Sequence, residues 1–138
     1  PMTLKEAKFH KLLDKYRDKR EIEPVPCGGL MEYVEQGILE GDELDDYLRE
    51  KLKPFMDSKI SSIVLGCTHY PFVKNAIEKV VGQDVDIIDG SLGTARELMR
   101  RLKEKDLLND SKEKGTIEMI NSSNKQELID LSWKLIEM

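Results

Sequence analysis

The sequence has no apolar run longer than four or five residues, so it offers no stretch of the roughly twenty that a membrane-spanning helix requires. A charged segment followed by an apolar one, the mark of a secretory leader, is also missing. Cysteine is scarce: Cys27 and Cys67 stand 40 positions apart (67 minus 27), which excludes a dense disulfide framework, and neither has a neighbour at metal-ligand spacing. Blocks of like charge are missing too. Charged residues make up 36 % of 138, the formal net charge is -5, and the two signs are interspersed, as on a well-solvated surface without a nucleic-acid footprint. No internal repeat or low-complexity tract interrupts the chain. These absences predict a soluble, cytoplasmic protein with reduced thiols, no nucleic-acid or membrane partner, and enough length to bury about two thirds of the surface of its unfolded form.

What is present is a run of periodic segments. Thr3 and Glu6 form a capping box, and Phe9, Leu12, Leu13 and Tyr16 repeat at helical spacing, so a helix is expected to end near Lys19. That this pattern begins at once behind Pro1 suggests a piece of a longer chain. Residues 21–27 contain two prolines and read as a short extended strand ending at Cys27, followed by a turn at Gly28-Gly29. A short helix over 30–36 stops at Gly37. Another opens at Asp42, carries Leu44, Leu48 and Leu52, and frays at Pro54.

Residues 60–66 are apolar and β-branched, the pattern of a strand covered on both faces. Pro71 fits the first turn of the next helix, which buries Val73, Ala76, Ile77 and Val80. A strand over 85–88 and a helix over 92–102 follow, then a solvated linker over 106–115, a strand near 116–120 and a helix near 124–136. Strand and helix alternating through short links predict an α/β fold with a parallel sheet and right-handed crossovers.

The chemistry gathers at Cys67-Thr68-His69-Tyr70-Pro71, behind the first strand. In open parallel sheets functional groups collect at the carboxyl ends of strands. A free thiol has a pKa of about 8.5, and a helix N-terminus or a cationic histidine lowers it and supplies thiolate. The alternative is that Cys67 merely ends a buried strand, as free cysteines often do. His69 is placed to face the same cleft, and Thr68 offers a hydroxyl and an amide suited to a carboxylate. Cys27 has no activating neighbour nearby and reads as structural. Glu35 has no local claim, His10 reads as surface, and Trp133 as an apolar contact. Asp89-Gly90-Ser91 is a strand-to-helix turn in which Asp89 or Ser91 caps the helix.

Leu65-Gly66-Cys67-Thr68-His69-Tyr70-Pro71 resembles the second active-site motif of bacterial glutamate racemases. Ile87-Ile88-Asp89, Thr94-Ala95-Arg96 and Val34-Glu35 to Gly37 extend the likeness, and His69, where aspartate racemases usually carry an acid, points to glutamate. The resemblance implies a cofactor-independent isomerase that uses two thiols on opposite faces of the substrate, binds no metal and supplies D-glutamate for peptidoglycan. It implies that Cys67 is one acid/base cysteine, the one acting on the D-enantiomer. Thr68 and His69 would hold substrate, His69 would also tune the thiol, and Glu35 would support the site.

The family's Ala-Cys-Asn-Thr and Asp-Ser-Gly motifs do not occur in this sequence. The resemblance therefore predicts a racemase lobe over 1–88 bearing the second cysteine, and a return segment over 89–138 belonging to another lobe. It also leads to the expectation that the chain alone does not racemise. A further expectation is self-association through the stripe of Leu98, Met99, Leu102 and Trp133. A non-catalytic binding or assembly module that keeps the fold is the other reading.

Overall fold

The computed structural model describes residues 7–17, 21–57 and 60–137. The expected capping box at Thr3 and Glu6, and the helix end near Lys19, lie outside them. The first described helix, α1, spans Ala7–Arg17, with Leu13 buried on its inner stripe and His10 exposed as expected.

Residues 21–27 run without ladder hydrogen bonds, so Cys27 closes an irregular segment and not the expected strand. Prolines at 24 and 26 explain this, since each removes an amide donor that pairing needs. The turn at Gly28-Gly29 delivers the chain into α2 (Leu30–Glu35), where Gly29 adopts φ 100° as the N-cap. Leu30 and Val34, four residues apart, bury one side of this short helix, and Gly37 at φ 73° ends it.

Helix α3 (Asp42–Met56) opens at Asp42 as read from the sequence, and Pro54 sits in its final turn. Leu44, Leu48 and Leu52 follow one another at intervals of four and form its buried face. Each such burial contributes about 1.5–3 kcal/mol relative to exposure. Against this face packs α4 (Lys74–Val81), which buries Ala76 and Ile77 and is preceded by a 3-10 turn over Tyr70–Val73 with Pro71 in its first positions.

Asp45 is the buried charge on α3. It is 1 % exposed and meets the ammonium of Lys79 on α4 through Oδ2, while Arg49 approaches the same oxygen at 4.0 Å. Oδ1 has no hydrogen-bond partner. The pair ties the two helices together, and hydrogen bonding to Asp45, followed by its charge, raises the Lys79 pKa.

The sheet is small. Strand β1 (Ser62–Val64) pairs in parallel with β2 (Asp86–Ile88), Ser62 opposite Asp86 and Val64 opposite Ile88. Leu65 N–H donates to Ile88 O at 2.8 Å and extends the pairing toward Cys67. The architecture is α/β, as predicted, but the expected strand over 60–66 is cut to three residues. It is not covered on both faces: Val64 is 71 % exposed, and of the described residues 60–66 Leu65 alone is buried.

Helix α5 (Ser91–Glu104) follows β2 directly, and α6 (Gln126–Ile136) is the last element. The expected strand near 116–120 does not form. Ile117 and Ile120 are both exposed there, and no neighbouring strand supplies the hydrogen bonds that an isolated segment lacks. Helix α6 does reach the first part of the molecule. Leu135 lies against the core, and Leu131 Cδ1 comes within 3.4 Å of where a Cβ on Gly37 would stand.

Candidate functional site

The loop between β1 and the 3-10 turn carries the candidate site. Because β1 ends at Val64 and Leu65 still pairs with Ile88, the backbone is held up to the residue before Gly66 and then released. Cys67 is half-buried, and its carbonyl accepts Tyr70 N–H at 3.3 Å, so the loop curls at once into the turn. The expected α-helical N-terminus beside the thiol is replaced by this single 3-10 turn.

The imidazole is a nearer influence. Cys67 Sγ lies 3.7 Å from His69 Nδ1, and His69 Nε2 lies 3.6 Å from Glu35 Oε1 at the end of α2. The structure therefore brings together three residues singled out in the sequence, from two segments 32 positions apart (67 minus 35). An imidazole whose Nε2–H faces the carboxylate leaves Nδ1 free to accept the thiol proton. Transfer of that proton gives thiolate, imidazolium and carboxylate in a row. His69 is 32 % and Glu35 57 % exposed, so the ion pair itself adds only about 0–1 kcal/mol and its value lies in orientation.

A cleft of about 510 Å³ opens beside Cys67. Thr68 and Pro71 line it with Cys67 on one wall, and Ser91, Thr94 and Leu98 of α5 line the opposite wall. Cys67 both lines the cleft and approaches His69, whereas His69 and Glu35 are not among the lining residues. The hydroxyls of Ser91 and Thr94 were not singled out as site residues. Their position directly after β2 is the signal, since both strands end at the same edge.

Asp89 orders that wall: its Oδ1 accepts Ser91 N–H at 2.8 Å, a bond within the turn, whereas the N-cap position itself is Gly90 and not the expected Asp89 or Ser91. Hydrogen bonding from Ser91, side chain first and backbone second, lowers the Asp89 pKa.

Cys27 is a different kind of thiol. Its Sγ donates to Val25 O at 3.7 Å, and burial raises its pKa, opposed in part by Lys51. Two tyrosines surround the neighbouring turn: Tyr70 Oη donates to Cys27 O at 3.1 Å and Tyr47 Oη to Gly28 O at 3.0 Å. Burial is the main cause that pushes Tyr70 up to about 12, with the Cys27 and Cys67 charges next; burial followed by the Cys27 charge raises Tyr47 further still.

Among the described residues no group of three or more His, Cys, Asp or Glu side chains is arranged to hold a metal ion. No helix among them is long and apolar enough to cross a membrane.

No family model matches the chain. Individual relatives do. A glutamate racemase of Clostridium perfringens (strain ATCC 13124) is 55 % identical over 136 residues, covering 99 % of this chain and 52 % of that protein. The crystal structure of a glutamate racemase from Francisella tularensis in complex with D-glutamate superposes with a TM-score of 0.64 at 35 % identity, over 75 % of this chain and 39 % of that one. The glutamate racemase of Thermus thermophilus in complex with β-chloro-D-alanine gives 0.68 at 25 % identity, over 90 % and 48 %. The chain spans about half the length of the curated relatives it matches. In sequence along its whole length, and in fold, it is a relative of the glutamate racemases.

Proposed function

We propose that this chain supplies one face of a two-thiol, cofactor-independent amino-acid racemase that acts on glutamate. The observation that carries the reading is the row of Cys67 Sγ, His69 Nδ1 and Glu35 Oε1, at 3.7 Å and 3.6 Å, on the rim of a cleft that Cys67 and Thr68 line. The relatives' activity and the D-glutamate in one of their structures support glutamate as the substrate.

In this reading Cys67 acts as thiolate and takes the Cα proton of D-glutamate. The C–H electron pair stays on carbon as a planar carbanion, and a thiol on the opposite face returns a proton, giving L-glutamate. One proton leaves and one arrives, with no oxidant and no cofactor. His69 holds the proton-transfer partner in its reactive state, Glu35 holds His69, and Thr68 faces the substrate carboxylate. The opposite-face donor is not Cys27, whose thiol points to Val25 O and is made a weaker acid by burial.

The reading predicts that in a polypeptide carrying both thiols, Cys67→Ser lowers turnover by at least 10²-fold, the low end of the range of about 10²–10⁴ for removing a positioned acid/base group. The chain by itself, incubated with D- or L-glutamate in D2O and followed by NMR, should give no interconversion of enantiomers. Retained turnover in Cys67→Ser would sink the role of Cys67 and favour a binding or assembly module. Interconversion by the chain alone would sink the one-face reading.

A further inference from the structure

The Cys27 carbonyl accepts two hydrogen bonds: Leu30 N–H at 3.3 Å, the first amide of α2, and Tyr70 Oη–H at 3.1 Å, from the residue after His69. One oxygen therefore joins the start of α2 to the thiol loop, across 43 positions of sequence. Glu35 stands at the other end of the same helix, five residues on, a rigid rise of about 7.5 Å. The exit of α2 is also fixed, by Gly37 N–H to Val34 O at 2.9 Å and Ile38 N–H to Tyr33 O at 2.9 Å. Helix α2 packs on the 3-10 turn, so a shift at its start is carried to its end. The Tyr70 hydroxyl keeps its proton up to about pH 12 and remains a donor throughout the neutral range.

We infer that Tyr70 is a positioning residue, whose hydrogen bond to the Cys27 carbonyl sets Glu35 against His69 and, through His69, governs the reactivity of Cys67. The inference rests on the thiol-loop reading above and goes beyond it, because Tyr70 is not among the residues lining the cleft and its hydroxyl bonds the Cys27 carbonyl, not the imidazole or the carboxylate.

The test uses the whole chain with Cys27→Ala, which keeps the accepting carbonyl and leaves Cys67 as the single thiol. The alkylation rate of Cys67 by iodoacetamide is followed between about pH 5 and 9, the range in which a histidine changes charge. The ¹⁵N imidazole shifts of His69 are recorded alongside, for the parent, Tyr70→Phe, Glu35→Gln and the double variant. Tyr70→Phe should slow alkylation near neutral pH about three- to tenfold and move the imidazole shifts in the direction that Glu35→Gln moves them, because both loosen the contact between Glu35 and His69, the imidazole next to the thiol. The double variant should be no slower than Glu35→Gln alone, the signature of two residues acting through one contact.

Tyr47→Phe, which frees the adjacent Gly28 carbonyl, should leave both readouts at parent values. The inference is overturned if Tyr70→Phe lowers thermal stability but keeps the parent pH profile and shifts. It is also overturned if its effect multiplies with that of Glu35→Gln, or if Tyr47→Phe reproduces it. Neither readout involves glutamate, so failure of the racemase reading and failure of this one are seen separately.

Discussion

Residues 30–88 and residues 91–137 carry equally regular helical patterns, yet only the first region buries them. Apart from Leu13, every fully buried apolar side chain among the described residues lies between Leu30 and Ile87. Helices α5 and α6 contain none, and Leu92, Leu98 and Met99 on α5 are all about 60 % exposed. In the first region α3 and α4 interlock and a charged pair between Asp45 and Lys79 clamps them. In the second, α5 is held by its own surface: Glu97 binds Arg100 at 2.7 Å and Arg101 at 2.8 Å, and Arg100 also meets Glu104. Amphipathic spacing fixes where a helix forms. Burial depends on whether another element presents a complementary face.

That contrast is broken or sharpened by three measurements. The largest effect belongs to Leu44, which is fully buried: Leu44→Ala should cost about 2–5 kcal/mol in urea unfolding, through lost burial and the cavity left behind. A loss below 1 kcal/mol would mean that α3 is no more anchored than α5. Next is a basic-pH window confined to the first region. Tyr70 ionises near 10 when unfolded and near 12 when folded, so the unfolded state releases its proton first. The native state therefore binds more protons above pH 10, and stability present below that value is lost as pH climbs toward about 12. Tyr47 adds to the same window. Pairing Tyr70→Phe with Tyr47→Phe should flatten the fall in chemical-denaturation curves, and an unchanged slope would remove the two hydroxyls from the account. The smallest effect is expected for Leu98→Ser on α5, within about 0.5 kcal/mol of the parent. A loss above 1 kcal/mol would show that α5 is packed in solution.

The same contrast explains what the sequence could and could not tell. The helices of the first region were legible because their apolar residues recur every three or four positions and Gly37 and Pro54 punctuate them. The thiol, imidazole and threonine of the site were legible because they follow a strand in one short motif. Glu35 entered only by likeness to the racemases, since nothing within α2 reveals that its carboxylate faces a histidine 34 positions on (69 minus 35). Tyr70 stood in that motif, but its contact was illegible for the same reason. Its role is a hydrogen bond to a backbone oxygen, and side-chain patterns carry no record of which carbonyl is near. The expected strand near 116–120 failed because local strand preference is realised only when a neighbouring strand completes the ladder.

The register of the sheet also has a consequence in time. Ser62 pairs with Asp86, 24 positions later, and the chain between them must first coil into the 3-10 turn and α4. Contacts between distant positions close later than local ones, so we expect α4 to form before β2 docks. Until β2 docks, the wall of the cleft that α5 provides is not in place, and Cys67 meets solvent without it. The thiol is thus most open to oxidants in the interval before the sheet closes, and a pulse of alkylating agent during refolding should label Cys67 faster than in the native chain.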